Sequence, residues 1–345
     1  MANKSIIALE KLDDEARKVL ASAAEHVIEA KDGSGEKNPE YYARKAYSDN
    51  TYRSYRSDFQ DFAEWAGVEK PIPVTTAVVV QYLSDRAEIL APTTLQHRVA
   101  ALSFIHRLLG YDDPTKSGAV TAVLRGIRKD RKDNGWKEDQ APAFTVGQFT
   151  NMIELMGASI HDMRDKAFLL VGLFGAFRQG ELTGLTVERL KEIEGLGYAV
   201  EMGIVKQDQV ASKKVNKPLP LLPNSKMCPV TALKAYMDEA GIDAGPVFRG
   251  INRYGRVGEK AMSHPTANRI VQKWAKRALI PNGDEYSVHS LRASFVTVLR
   301  GLGVSDALIA RQTDHRNLAT MQIYDRPENA FDDSPVAWLA EAFQT

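Results

Sequence analysis

Apolar positions recur at three- and four-residue intervals through much of the chain, the spacing that puts them on one side of an α-helix. Over residues 5–30, Ile6, Leu9, Leu12, Ala16, Val19, Leu20, Ala23 and Val27 follow it, and Lys31-Asp-Gly-Ser-Gly35 ends the run. A polar stretch over 36–50 precedes four further predicted helices, at about 49–66, 74–90, 92–109 and 117–131. Pro71 and Pro73 separate the first pair and Ala91-Pro92 the second, while Asp112-Asp113-Pro114 closes the third; proline suits a first helical turn and breaks an interior.

Periodicity then stops. Arg128 to Pro142 is charged, carries Gly135, and has no apolar rhythm, the signature of a connection. It predicts a helical N-terminal domain over 1–131, a linker over 132–142 and a second domain from 143. Beyond it, helices are predicted over 145–156 and 162–176, then two strand-like runs, Tyr198–Lys206 and Val215–Leu222, joined by a polar turn as a hairpin. Helix 229–240 follows behind Pro229, then a Gly- and Arg-rich loop over 245–260 and helix 264–279. An apolar helix beginning near Val288 breaks at Gly301–Gly303, and Ser305 is placed to cap a helix over Asp306–Gln312. The chain closes on an acidic spacer, Glu328–Asp333, and a helix with Ser334 at its N-cap, Pro335 at its first position and an apolar stripe of Val336, Leu339, Ala340 and Phe343. The predicted class is mainly α with a small β-hairpin.

Bulk properties narrow the picture modestly. A chain of 345 residues is long for one core. With 44% apolar and 26% charged residues it is neither disordered nor membrane-embedded. No long apolar stretch opens the chain as a signal peptide would, and the apolar run Ala167–Phe177 is too short to span a bilayer. Cys228 is the only cysteine, which excludes an internal disulfide and fits a reducing cytoplasm. The net charge of +1 would not by itself suggest nucleic acid; by segment it is −2 over 1–50, +3 over 51–137, −2 over 138–250 and +2 over 251–345. Local basic surface remains available.

The candidate chemistry lies in Val288–Arg326. His289 and Arg292 are one helical turn apart, His315 follows the Asp306–Gln312 helix, and Tyr324 comes nine residues later. Upstream, Gly175-Ala-Phe-Arg-Gln-Gly-Glu-Leu182 sets Arg178 in a turn with Glu181 three residues on. This ordered set resembles the tyrosine site-specific recombinases, the phage and plasmid integrases and Cre-type enzymes. Its layout covers essentially the whole chain, and its specific motifs lie in 175–206 and 288–324. The resemblance implies a mixed, mostly helical catalytic domain over 143–326 and a helical DNA-binding domain over 1–131, closing around DNA as a C-shaped clamp.

It also implies roles. Arg178, Arg292 and His315 would stabilise a five-coordinate phosphorus whose equatorial oxygens gain charge, the task for which planar guanidinium groups are suited. Glu181 would orient Arg178. Tyr324 would be the nucleophile, forming a 3′-phosphotyrosyl link. His289 would assist transfer of its proton, and Lys206, at the end of the first strand, would protonate the leaving 5′ oxygen. Gln207 stands where the family often has Thr, and Lys213, Lys214 and Lys217 offer alternatives in the same turn. Asp314 precedes His315 where the family usually has Gly; an acid there can hold the imidazole or repel phosphate. Neither metal nor cofactor is expected: no dense ligand cluster and no phosphate-cradling Gly motif is present.

Double-stranded DNA with inverted-repeat sites is the expected partner. In the first domain Tyr52, Arg53 and Arg56, then Gln96, His97 and Arg98, interleave aromatic, amide and guanidinium groups able to meet phosphates or base edges. Arg128 and its basic neighbours can lie along the backbone. Ser263, His264, Thr266, Asn268 and Arg269 open helix 264–279 and are placed for a major groove. Each of these is also compatible with an ordinary solvated helix face. By resemblance, residues 327–345 would form a spacer and a helix docking onto a neighbouring protomer, giving a homotetramer on two DNA sites with no membrane association. Two rivals stay open, a type IB topoisomerase and a DNA-binding protein that has lost cleavage. The terminal helix and small first domain argue against one, the complete residue set against the other.

Overall fold

The structure is a computed structural model that describes residues 41–42, 45–68, 71–137, 140–202 and 216–314. The leading helix over 5–30, Lys206, Lys213, Lys214, His315, Tyr324 and the terminal helix lie outside the described residues. Residue contacts divide the chain between Glu138 and Asp139.

The first unit is helical. α1 (Asp49–Ala66) starts where the Ser48 hydroxyl accepts the Thr51 amide and stops at Gly67, whose φ of 66° lets the cap amide turn back to Ala63 and Glu64. α2 (Thr76–Arg86), α3 (Pro92–Leu108) and α4 (Gly118–Asp133) follow. α2 is shorter than the predicted 74–90. Thr75 caps it at one end, and past Arg86 the amides of Ile89 and Leu90 both return to the Arg86 carbonyl, a tight turn ahead of Pro92. Tyr52, Phe59 and Phe62 of α1 pack on Val79, Tyr82 and Leu83 of α2 and on Leu95, Leu102 and Ile105 of α3. The Tyr82 hydroxyl donates to Asp61 at 2.7 Å. His106 is fully buried: Nδ1 faces the Leu102 carbonyl at 2.8 Å and Nε2 accepts the Val74 amide at 3.1 Å.

The second unit is built around α6 (Ile160–Gly175), whose residues Ala167 to Val171 are all completely buried, each larger aliphatic among them contributing roughly 1.5–3 kcal/mol. α5 (Val146–Glu154) precedes it behind a reciprocal Thr145–Gln148 capping box, and α7 (Gln179–Thr183) follows it. β1 (Leu190–Ile193), β2 (Gly197–Glu201) and β3 (Asn216–Pro220) form an antiparallel sheet in that order, with Val200 opposite Lys217 and Tyr198 opposite Leu219. α8 (Pro229–Ala240) packs on α6; β4 (Arg249–Ile251) and β5 (Val257–Ala261) make a second hairpin. α9 (His264–Arg277), α10 (Val288–Gly301) and α11 (Asp306–Thr313) complete the described chain. The single predicted hairpin is therefore a three-stranded sheet plus a separate hairpin. β1 and β4 are only four and three residues long, too short for an alternating pattern to register.

Two features fix this unit. Asp165, fully buried, accepts from Arg164 Nη2 at 2.7 Å, Lys273 Nζ at 2.9 Å and Trp274 Nε1 at 2.8 Å, joining α6 to α9. At Gly172 a Cβ would lie 2.6 Å from a Leu291 methyl, so the glycine lets α10 approach α6 closely and brings the start of α10 beside the end of α6. Cys228 is buried at the start of α8, where its sulfur accepts the amides of Leu222 at 3.2 Å and Thr231 at 3.3 Å. Among the described residues no helix is long and apolar enough to cross a membrane.

Candidate active site

The site is assembled at the end of α6. Gly175 leaves no room for a side chain, since a Cβ there would lie 2.0 Å from the Phe177 ring. Ala176 then takes a left-handed conformation, φ 45° and ψ 40°, which an alanine adopts at a cost of roughly 1–2 kcal/mol. The turn points the Ala176 carbonyl at α10 and delivers Arg178 to the start of α7. Arg292, on the first turns of α10, is only 3% exposed. Its Nη1 donates to the Ala176 carbonyl at 2.7 Å, and its Nη2 donates to the carbonyl of Thr313 at the end of α11.

Arg178 is held from three sides. Its amide donates to Glu181 Oε2 at 2.9 Å and its Nη1 to Glu181 Oε1 at 2.8 Å. Nη1 also faces Asp314 Oδ2 at 3.4 Å, and Nη2 donates to the Asp314 carbonyl at 3.0 Å. Burial would weaken the guanidinium's hold on its proton, but Glu181 and Asp314 outweigh it and keep the group firmly cationic. The side chain remains 36% exposed, so one edge is open to a ligand. Asp314 occupies a left-handed position, φ 54°, closing α11.

Lys217 completes the described cluster. It is 1% exposed, its Nζ donates to Glu181 Oε2 at 3.1 Å, and it lies 5.0 Å from the centre of the Phe177 ring. Burial draws its pKa down to about 8, helped by Arg292 and Arg178 and opposed by Glu181. Glu181, although burial disfavours its charge, is held below the ordinary carboxylate range by Lys217 and by the Arg178 amide and side chain. His289 keeps an exposed edge. Partial desolvation, then Arg292 and Arg178, lower its pKa, so the imidazole is neutral near pH 7.

Arg178, Glu181, His289 and Arg292 therefore converge from two segments more than a hundred residues apart. Lys206, His315 and Tyr324 lie outside the described residues. Gln312 had no sequence signal: its amide donates to the Phe174 carbonyl at 3.1 Å and the Pro218 carbonyl at 3.2 Å, tying α11 to α6 and β3. Phe177 was likewise unmarked. Among the described residues no group of three or more His, Cys, Asp or Glu side chains is placed to hold a metal ion.

The DNA-contact candidates divide. Tyr52 is corrected: at 1% exposure it belongs to the core of the first unit, edge-on to Tyr47 and Phe104, and cannot reach DNA. Arg98 is ion-paired to Asp61 at 2.9 Å and His97 Nδ1 is hydrogen-bonded with Asp58 Oδ2 at 2.5 Å, both within the first unit. Asn268 Oδ1 accepts the Val288 amide at 3.1 Å, a capping role at the start of α10. Ser263 Oγ accepts the Thr266 amide and so caps α9. Arg53, Gln96, His264 and Arg269 are exposed, and Arg56 and Arg128 are half-buried.

A helical unit is followed by a mainly helical one in which Arg178 and Glu181, at the start of α7, meet His289 and Arg292, at the start of α10, and two guanidiniums held side by side suit an anion such as a phosphate. The sequence model of the Phage integrase family matches residues 143–330. An integrase/recombinase xerD homolog of Selenomonas ruminantium is 29% identical over 298 residues, covering 84% of this chain and 85% of its own. The recombinase Cre of Escherichia phage P1 is 31% identical over 183 residues, covering 52% and 53%. Among solved structures, the XerH site-specific recombinase bound to palindromic difH substrate shares the fold, with a TM-score of 0.58 at 15% identity, covering 98% of this chain and 99% of that one. The chain belongs to the phage integrase family. It is a tyrosine recombinase, an enzyme that cleaves and rejoins DNA.

Proposed function

We propose that the protein recombines paired DNA sites through a covalent bond between Tyr324 and a 3′ phosphate. The Tyr324 phenol attacks the scissile phosphorus, His289 takes up or relays its proton, and the 5′ oxygen leaves as a hydroxyl after accepting a proton from Lys206. Arg178 and Arg292, with His315, neutralise the non-bridging oxygens as charge gathers on them. The phosphotyrosyl link conserves the bond energy, and a 5′ hydroxyl from the partner duplex attacks it to reseal the strand and release the phenol. Arg53, Gln96, His264 and Arg269 contact the DNA. The sites are inverted repeats, and residues 327–345 link protomers into a tetramer.

The observation that carries this reading is the convergence of Arg178 and Arg292, whose guanidiniums donate to the adjacent carbonyls of Asp314 and Thr313 at the end of α11. Two fixed cations beside a neutral imidazole suit an anion that gains charge in the transition state. The test is a suicide substrate built on an inverted repeat sought in the DNA on either side of the gene, with Tyr324→Phe as control. A protein–DNA adduct that survives denaturant and is absent in Tyr324→Phe is expected. Tight binding without any adduct would leave a DNA-binding protein in place of the enzyme.

A further inference from the structure

The proposed reaction leaves Lys217 without a task. Along β3 the burial alternates, Lys217 and Leu219 inward and Asn216 and Pro218 away. An inward lysine is unusual, because removing an ammonium from water is costly unless a counter-charge meets it. Here Glu181 meets it at 3.1 Å and the Phe177 ring faces it at 5.0 Å. The oxygen that receives Lys217 also receives the Arg178 amide, while the other carboxylate oxygen receives the Arg178 side chain. Glu181 is thus held at three points, one of them from beneath by Lys217. β3 is in turn fastened to the rest of the centre by Gln312, through the Pro218 carbonyl.

We propose that Lys217 is a positioning residue for cleavage: its buried ammonium fixes Glu181, and Glu181 aims Arg178 at the scissile phosphate. The inference rests on the recombinase reading of Arg178 given above. Lys217 does not serve as the proton donor, since a side chain 1% exposed and already bonded to Glu181 cannot meet a leaving 5′ oxygen. Its charge matters too. Arg178, Arg292 and Lys217 against Glu181 and Asp314 leave these five groups at +1; with Lys217 neutral or absent they sum to zero before a phosphate arrives.

Single-turnover cleavage of the suicide substrate by full-length wild type, Lys217→Met, Lys217→Arg, Glu181→Gln and the Lys217→Met/Glu181→Gln double variant tests this. Wild-type adduct formation, read in parallel, reports on the recombinase reading itself; with no wild-type adduct both statements fall. Given that adduct, Lys217→Met should cleave about 10- to 100-fold more slowly with unchanged DNA affinity, the scale of misplaced support for a reacting centre. Lys217→Arg should recover most of the rate. The double variant should be no slower than Glu181→Gln alone, because the two act through one contact. A substrate with a 5′-bridging sulfur, whose leaving group needs no proton, should not rescue Lys217→Met. Wild-type cleavage by Lys217→Met, fully additive losses in the double variant, or rescue by the sulfur substrate would each overturn the proposal, the last by making Lys217 the acid. If Lys217→Met does not fold, Lys217→Gln takes its place with the same expectations.

Discussion

Asp314 sets a carboxylate against the guanidinium that is to receive phosphate, and neutralising it should accelerate cleavage. Asp314 Oδ2 lies 3.4 Å from Arg178 Nη1. A phosphate oxygen accepting from the same guanidinium would sit about 3 Å away, putting the two anions roughly 6 Å apart. At an effective dielectric of about 20 that is roughly 2.8 kcal/mol of repulsion. Because Arg178 is 36% exposed, solvent screening takes about half, leaving roughly 1.4 kcal/mol, or about tenfold. Asp314→Asn removes the charge and keeps a residue that tolerates the left-handed backbone; Asp314→Gly also relieves that backbone. Single-turnover cleavage at subsaturating protein should rise about five- to tenfold in both variants, and the gain should shrink as salt is raised. The Arg178–Asp314 contact itself is worth less than about 1 kcal/mol to folding, so the melting temperature should barely move. Unchanged or slower cleavage by Asp314→Asn at both low and high salt would refute the reasoning and show that Asp314 aims Arg178 instead of restraining it.

Two further outcomes concern the folded state. His106 is buried with Nε2 already accepting the Val74 amide, and burial depresses its pKa below 6.5; the unfolded chain therefore binds the proton first. Stability is full above about pH 6.5 and falls as pH drops toward the folded-state value. A His106 imidazole resonance that titrates at or above 6.5 by NMR would contradict this. Asp165→Asn leaves the buried Arg164 guanidinium without its counter-charge and should lower unfolding free energy by roughly 3–5 kcal/mol. Urea denaturation reads the change, and a loss under about 1 kcal/mol would show that the Arg164–Asp165–Lys273 group is not what joins α6 to α9.

How much of this was legible in the sequence depended on distance along the chain. His289 and Arg292 share a helical turn, and Arg178 and Glu181 share another, so their pairing followed from local spacing. The helices of the first unit were equally plain, because their apolar stripes are long. Lys217 was harder: among four lysines near one turn, only its register opposite Val200 and its contact with Glu181 show that it points inward. Arg98 has a partner that local spacing does not reveal, Asp61, 37 residues earlier. Tyr52 was read beside Arg53 and Arg56, whereas its spacing to Phe59 and Phe62 marks the buried face of α1.

Arg292 spends two of its donors on main-chain carbonyls, those of Ala176 and Thr313. A carbonyl belongs to no particular side chain, so the groups that hold this arginine can be inherited without inheriting the residues that carry them. The requirement falls on the course of the backbone: the reversal after α6 and the end of α11. A substitution that fits the buried space at Ala176 or Thr313 and keeps the backbone course leaves both acceptors where they are. Insertions or deletions that shift either carbonyl by a fraction of a hydrogen-bond length are the changes selection would remove.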